Sequence, residues 1–121
     1  MAMAQTARRV ATIDPSKWVQ ENVWPVIKEN FPRTQFCKKI DDLRGDFDAA
    51  FIDGDHRYGA VMSDIRVCKY LLPRRAPIAL HDTTEPMVFK AMQDTPGFEF
   101  QIVIPGVTGL GVGFFPVVCA R

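Results

Sequence analysis

Apolar residues in this chain gather into short runs that break off at charged or turn-forming positions. Phe47-Asp-Ala-Ala-Phe-Ile52 ends abruptly in Asp53-Gly-Asp-His56, and Pro77-Ile-Ala-Leu80 ends in His81-Asp82-Thr83. A near-continuous apolar run bounded by polar residues suits a strand buried on both faces, as in a parallel sheet. Between them, Val61, Ile65, Cys68 and Leu72 recur at helical spacing, with Ser63, Asp64, Arg66 and Lys69 on the other side. This pattern predicts a helix over 58–72, stopped by Pro73.

The rest of the chain reads the same way. Residues 8–13 form a short strand, after which Asp14 suits a helix N-cap and Pro15 the first helical position. A helix over 15–30 follows, kinked or restarted at Pro25, then a strand at 34–38. Thr84–Gln93 reads as a short helix with Val88 and Met92 inward, and 98–104 and 109–116 as strands joined by a Pro-Gly turn. Strands that alternate with helices predict an α/β fold with a mostly parallel sheet, the final pair forming an antiparallel hairpin. Strands 47–52 and 77–81 should be parallel neighbours ending on the same sheet edge.

Composition narrows the picture. A chain of 121 residues supports one domain, spanning 1–121. Its net charge of +1 offers no electrostatic footprint for nucleic acid. The apolar stretches fall short of a membrane span, and the N-terminal residues lack the apolar core of a secretory signal. Three widely spaced cysteines, Cys37, Cys68 and Cys119, argue against a disulfide framework and for a reducing, cytoplasmic setting.

The candidate chemistry lies at the two strand ends, where ligands bind in parallel sheets. Asp53 and Asp82 are hard oxygen donors of the type magnesium prefers, and could share an ion that lowers the pKa of a substrate hydroxyl. His56, three residues beyond Asp53, suits a general base for that hydroxyl. Plainer readings stand beside these. Asp14 serves as an ordinary cap, Asp55 caps the next helix with Arg57 as a solvated partner, His81-Asp82-Thr83 forms a polar turn, and His81 is structural. Asp53-Gly-Asp55 also fits the paired acids of a haloacid-dehalogenase-type phosphatase, although no later lysine and acidic pair accompanies it.

The segment Phe47–Tyr58, with Asp64, Leu71-Leu72-Pro73 and Ile78-Ala-Leu-His-Asp82, resembles the class I S-adenosylmethionine-dependent methyltransferases. It is most similar to the small-molecule O-methyltransferase branch, and Gly109-Leu-Gly-Val112 resembles that branch's last hairpin. The resemblance implies a Rossmann-like fold and methyl transfer from S-adenosylmethionine to a hydroxyl oxygen of a small molecule. It implies that Asp14 binds the cofactor's ribose and that the adenine pocket lies near Asp41. It makes Asp53 and Asp82 ligands of magnesium, and Asp53 and His56 catalytic residues.

Two departures accompany the likeness. No glycine precedes Gly45, so the family's first strand, first helix and glycine-rich cofactor turn have no counterpart. In the family that strand lies mid-sheet, between the strands matching 8–14 and 47–53. Its loss calls for direct pairing of those two strands or a filler from another chain, and for weak or absent cofactor binding. The family's Pro-Gly-Gly before the later strand is replaced by Pro73-Arg-Arg-Ala-Pro77. The alternative function is therefore a non-catalytic remnant acting as an interaction or oligomerisation module, and a homo-oligomer is expected.

Overall fold

A computed structural model describes residues 9–116, which divide into two compact units meeting in sequence at Gly45 and Asp46. The first contains β1 (Ala11–Ile13), α1 (Lys17–Asn22), α2 (Trp24–Asn30), β2 (Gln35–Cys37) and a 3-10 turn (Ile40–Asp42). The second contains β3 (Ala50–Ile52), α3 (Tyr58–Leu71), β4 (Ile78–His81), α4 (Pro86–Asp94), β5 (Glu99–Ile104) and β6 (Leu110–Phe114). No helix among the described residues is long and apolar enough to cross a membrane.

In the first unit β1 and β2 pair in parallel, Ala11 opposite Gln35 and Ile13 opposite Cys37. The expected helix over 15–30 is two helices, because Pro25 lacks the N–H needed to continue one ladder and sits instead in the first turn of α2. Asp14 is not the helix cap. Ser16 holds that position, its Oγ accepting from the Val19 N–H at 3.4 Å, while Asp14 Oδ1 accepts from the Ser16 N–H at 2.8 Å. The serine wins because Asp14 is still extending β1, its own N–H bonded to the Cys37 carbonyl at 3.1 Å.

The second unit is a four-stranded sheet in the order β3-β4-β6-β5. β3 and β4 are parallel, as expected, whereas β6 runs antiparallel to both β4 and β5. Ile78 and Leu80 of β4, Val61 and Ile65 of α3, and Val88, Ala91 and Met92 of α4 form the core with Phe98 and Phe115. The period-2 alternation of β4 puts Ile78 and Leu80 into this core and turns Ala79 and His81 to the opposite sheet face. Gly113 is needed beside the core, since a Cβ there would collide with the Phe98 ring and come within 2.7 Å of the Glu99 carbonyl.

One expectation needs correction. The run from Phe47 yields only three strand residues, and it is not buried on both faces. Ala50 and Ile52 pack against the core, but Phe51 is 47% exposed, because β3 is the edge of its sheet and no helix of this unit covers its outer face.

The turn before β4 solves the loss of Pro-Gly-Gly at a cost. Arg75 takes a left-handed backbone with φ of 67°, held by its N–H to the Phe115 carbonyl at 2.9 Å. A side chain in that conformation costs roughly 1–2 kcal/mol, which glycine avoids.

Candidate active site

The parallel register places Ile52 opposite Leu80, so the residues that follow leave the sheet side by side. Asp53 shares the outer face with Phe51 by strand alternation, and His81 shares it with Ala79. The Phe51 and His81 rings lie 6.3 Å apart, centroid to centroid, on that face. Asp82 then leaves the strand with φ of 59°, a left-handed conformation that aspartate tolerates better than most residues. The Glu85 N–H bonds to the Asp82 carbonyl at 3.0 Å and fixes the turn into α4.

These placements bring four side chains together. His56 Nε2 lies 2.8 Å from Asp82 Oδ2, and His81 Nδ1 lies 3.1 Å from Asp82 Oδ1 and 3.5 Å from Asp53 Oδ1. The sequence contains two histidines, and both stand against Asp82. Asp82 is the least exposed member, at 19% of its side chain, and so serves as the hub. In the tautomer that carries its proton on Nε2, the nitrogen facing the carboxylate, Nδ1 of His56 is left as a proton acceptor.

The His81 contacts are longer. Its Nδ1 is out of solvent and has no hydrogen-bond partner among the described residues. One donor atom from each of Asp53, His81 and Asp82 lies within 4.8 Å of the others. Three acceptors converging in this way repel unless a positive charge sits among them. The donor set therefore fits a divalent cation. Sequence reading favoured a structural His81, and the geometry adds it to the residues that could hold a cation. The available signal was the alternation in β4, which turns residue 81 away from the core that takes Ile78 and Leu80.

Of the other expected residues, Asp55 belongs to the second unit and Asp14 and Asp41 to the first. Asp55 accepts from the Arg57 N–H at 2.8 Å and from its Nε at 2.7 Å, and the Arg57 guanidinium draws its pKa down to about 2. It organises the approach to α3, which removes it as the free acid of a phosphatase pair. Asp14 stands at the end of β1, and among the described residues Oδ1 is the carboxylate oxygen engaged by a hydrogen bond. Asp41 sits in the exposed 3-10 turn, its carbonyl accepting from Arg44 Nη1 at 3.1 Å. An open cleft of about 580 Å³ in the first unit, lined by Pro15, Lys17, Gln20, Glu21, Trp24 and Lys38, contains none of the four clustered residues.

The β5–β6 loop closes against the same strand end. Thr84 Oγ1 donates to the Val107 carbonyl at 2.5 Å, and Gly109 adopts a φ of 67° with its Cα against Thr83, where a Cβ would collide with the threonine hydroxyl. Thr83 is buried and its Oγ1 has no hydrogen-bond partner among the described residues.

Comparison with known proteins identifies the fold as Rossmann-like and of the methyltransferase type. A family model described as a methyltransferase domain matches residues 2–83. The chain belongs to that family. No protein of curated function matches it. Among solved structures it is similar to a candidate O-methyltransferase from Klebsiella pneumoniae, with a TM-score of 0.73 and 11% identity over 95% of this chain and 66% of that one. An rRNA methylase from Streptococcus thermophilus gives a TM-score of 0.72 at 12% identity, covering 95% and 78% of the two chains. The O-methyltransferase from Bacillus cereus in complex with SAH gives 0.68 at 13%, covering 88% and 62%. At these identities the likeness establishes the Rossmann-like methyltransferase fold. The chain spans about two thirds of the length of the Klebsiella and Bacillus proteins.

Proposed function

We propose that this chain carries the catalytic strand ends of an S-adenosylmethionine-dependent methyltransferase acting on a hydroxyl oxygen of a small molecule. The observation that carries the proposal is the 2.8 Å contact from His56 Nε2 to Asp82 Oδ2, at the strand end that also gathers Asp53 and His81. Family membership and the SAH held by the Bacillus cereus structure support the choice of methyl donor. A net charge of +1 favours a small molecule over RNA as the acceptor.

When bound, S-adenosylmethionine supplies the methyl group, and a divalent cation favours the ionised form of the acceptor hydroxyl. Asp53, His81 and Asp82 would hold the cation. His56 takes the hydroxyl proton at Nδ1, and Asp82 fixes the ring's tautomer and stabilises the imidazolium that forms. The outward-facing Phe51 borders the cluster and offers an apolar surface to the acceptor. Asp14, with one carboxylate oxygen engaged, retains the second for the cofactor's ribose hydroxyls, and Asp41 lies in the turn assigned to the adenine side.

The test is transfer of labelled methyl from S-adenosylmethionine to a panel of hydroxyl-bearing acceptors, with calorimetric titration of the cofactor. His56→Gln should lower turnover by roughly 100- to 10,000-fold, the usual worth of a general base, with cofactor affinity unchanged. Full turnover in that variant would remove His56 from the chemistry. A second reading has its own observation: the edge strand β3, with Phe51 exposed, suits a module completed by self-association. Concentration-dependent sedimentation with no cofactor heat at any concentration would favour that reading.

A further inference from the structure

We infer that the cation centre selects a borderline transition-metal dication, of the Fe2+–Co2+–Zn2+ type, over magnesium, and that His81 is the residue that sets this choice. The inference rests on the proposed cation centre and deepens it. A magnesium ion favours an all-oxygen shell that retains several waters. Imidazole nitrogen suits the borderline metals, which bind it far more tightly than magnesium does. Here the donors are two carboxylates and one imidazole, Asp53, Asp82 and His81.

Two features argue that the nitrogen belongs to the donor set. Nδ1 of His81 is out of solvent and unpartnered while facing Asp82 Oδ1 at 3.1 Å and Asp53 Oδ1 at 3.5 Å. Adjacent donors on one small dication are about 3 Å apart, so those separations are of ligand type. His81 lies on the face of β4 opposite the core, and among the described residues its Nδ1 has no hydrogen-bond partner. The second oxygen of Asp82 faces His56 Nε2 at 2.8 Å, where an imidazole can orient a ligand carboxylate from outside.

Calorimetric titration of the full chain with Co2+, Zn2+ and Mg2+, backed by the visible absorption of the Co2+ form, tests the inference. Co2+ and Zn2+ should bind at one site at least tenfold more tightly than Mg2+. His81→Asn, which puts an amide oxygen near the Nδ1 position, should weaken Co2+ and Zn2+ at least tenfold and leave Mg2+ within threefold. Asp53→Asn should weaken all three, and circular dichroism checks that each variant is folded. Equal affinity for Mg2+ and Co2+, or a His81→Asn variant with an unaltered preference, would overturn the selectivity while leaving the cation centre intact. Absence of binding by all three ions to the wild-type chain would overturn the centre itself.

Discussion

The two units use apolar residues to different ends. In the second, residues from α3, β4 and α4 interlock around Ile65, Ala91 and Met92, each with no measurable exposure. In the first, neither α1 nor α2 contributes a buried residue, Trp18 and Val26 are mostly exposed, and the sheet has two strands. Two-stranded sheets with short helices are marginal without further burial. The strand ends that hold Asp53, His81 and Asp82 emerge from the unit with the core. Placement of ligands to within fractions of an ångström needs rigid supports, and β4 is buried at alternate residues down to Leu80.

The largest test of this contrast is a pair of truncations. Ile65→Ala removes a fully buried side chain and should cost about 2–5 kcal/mol of unfolding free energy. Val26→Ala, at a position 58% exposed, should change it by no more than about 0.5 kcal/mol. Urea unfolding followed by circular dichroism measures both, and similar costs would erase the contrast. A gain is expected at Arg75, whose left-handed backbone suits glycine better. Arg75→Gly should stabilise the chain by about 0.5–1 kcal/mol, after subtracting glycine's greater freedom when unfolded. Destabilisation would mean that the arginine side chain makes a contribution larger than the strain.

A smaller effect compares one thiol from each unit. Burial raises the pKa of both Cys37 and Cys68, the latter to about 11 from 9.0. Between pH 9 and 11 native Cys68 keeps a proton that the unfolded chain releases, so stability should fall as pH rises through that window. Thiol alkylation read by mass spectrometry should modify Cys37 before Cys68, since a unit with little burial opens more readily. The reverse order would place the weaker packing in the second unit.

Much of this organisation was legible in the sequence, for identifiable reasons. The spacing of Val61, Ile65 and Cys68 marks α3 because a 14-residue amphipathic helix repeats its period several times. Pro25 announced the break between α1 and α2. The parallel pairing of β3 with β4, and with it the approach of Asp53 to Asp82, followed from two apolar runs ending in acids. What was not legible depended on neighbours. Apolar run length alone could not show that β3 would be an edge strand with Phe51 uncovered. Competition between Asp14 and Ser16 for the cap turned on how far β1 extends. The role of His81 turned on which face of β4 meets the helices, a fact set by packing at Ile78 and Leu80.

The account's central claim is that Asp53, His56, His81 and Asp82 form one functional centre, and histidine side-chain NMR tests it most directly. With two histidines in the sequence, the ring signals are assigned by a single substitution at His56. Substoichiometric Mn2+ should broaden the His81 and His56 ring resonances together and first, and Asp53→Asn should abolish that broadening. Broadening that begins at Asp41 and Asp42, or that leaves the two rings sharp, would contradict a shared centre at the ends of β3 and β4.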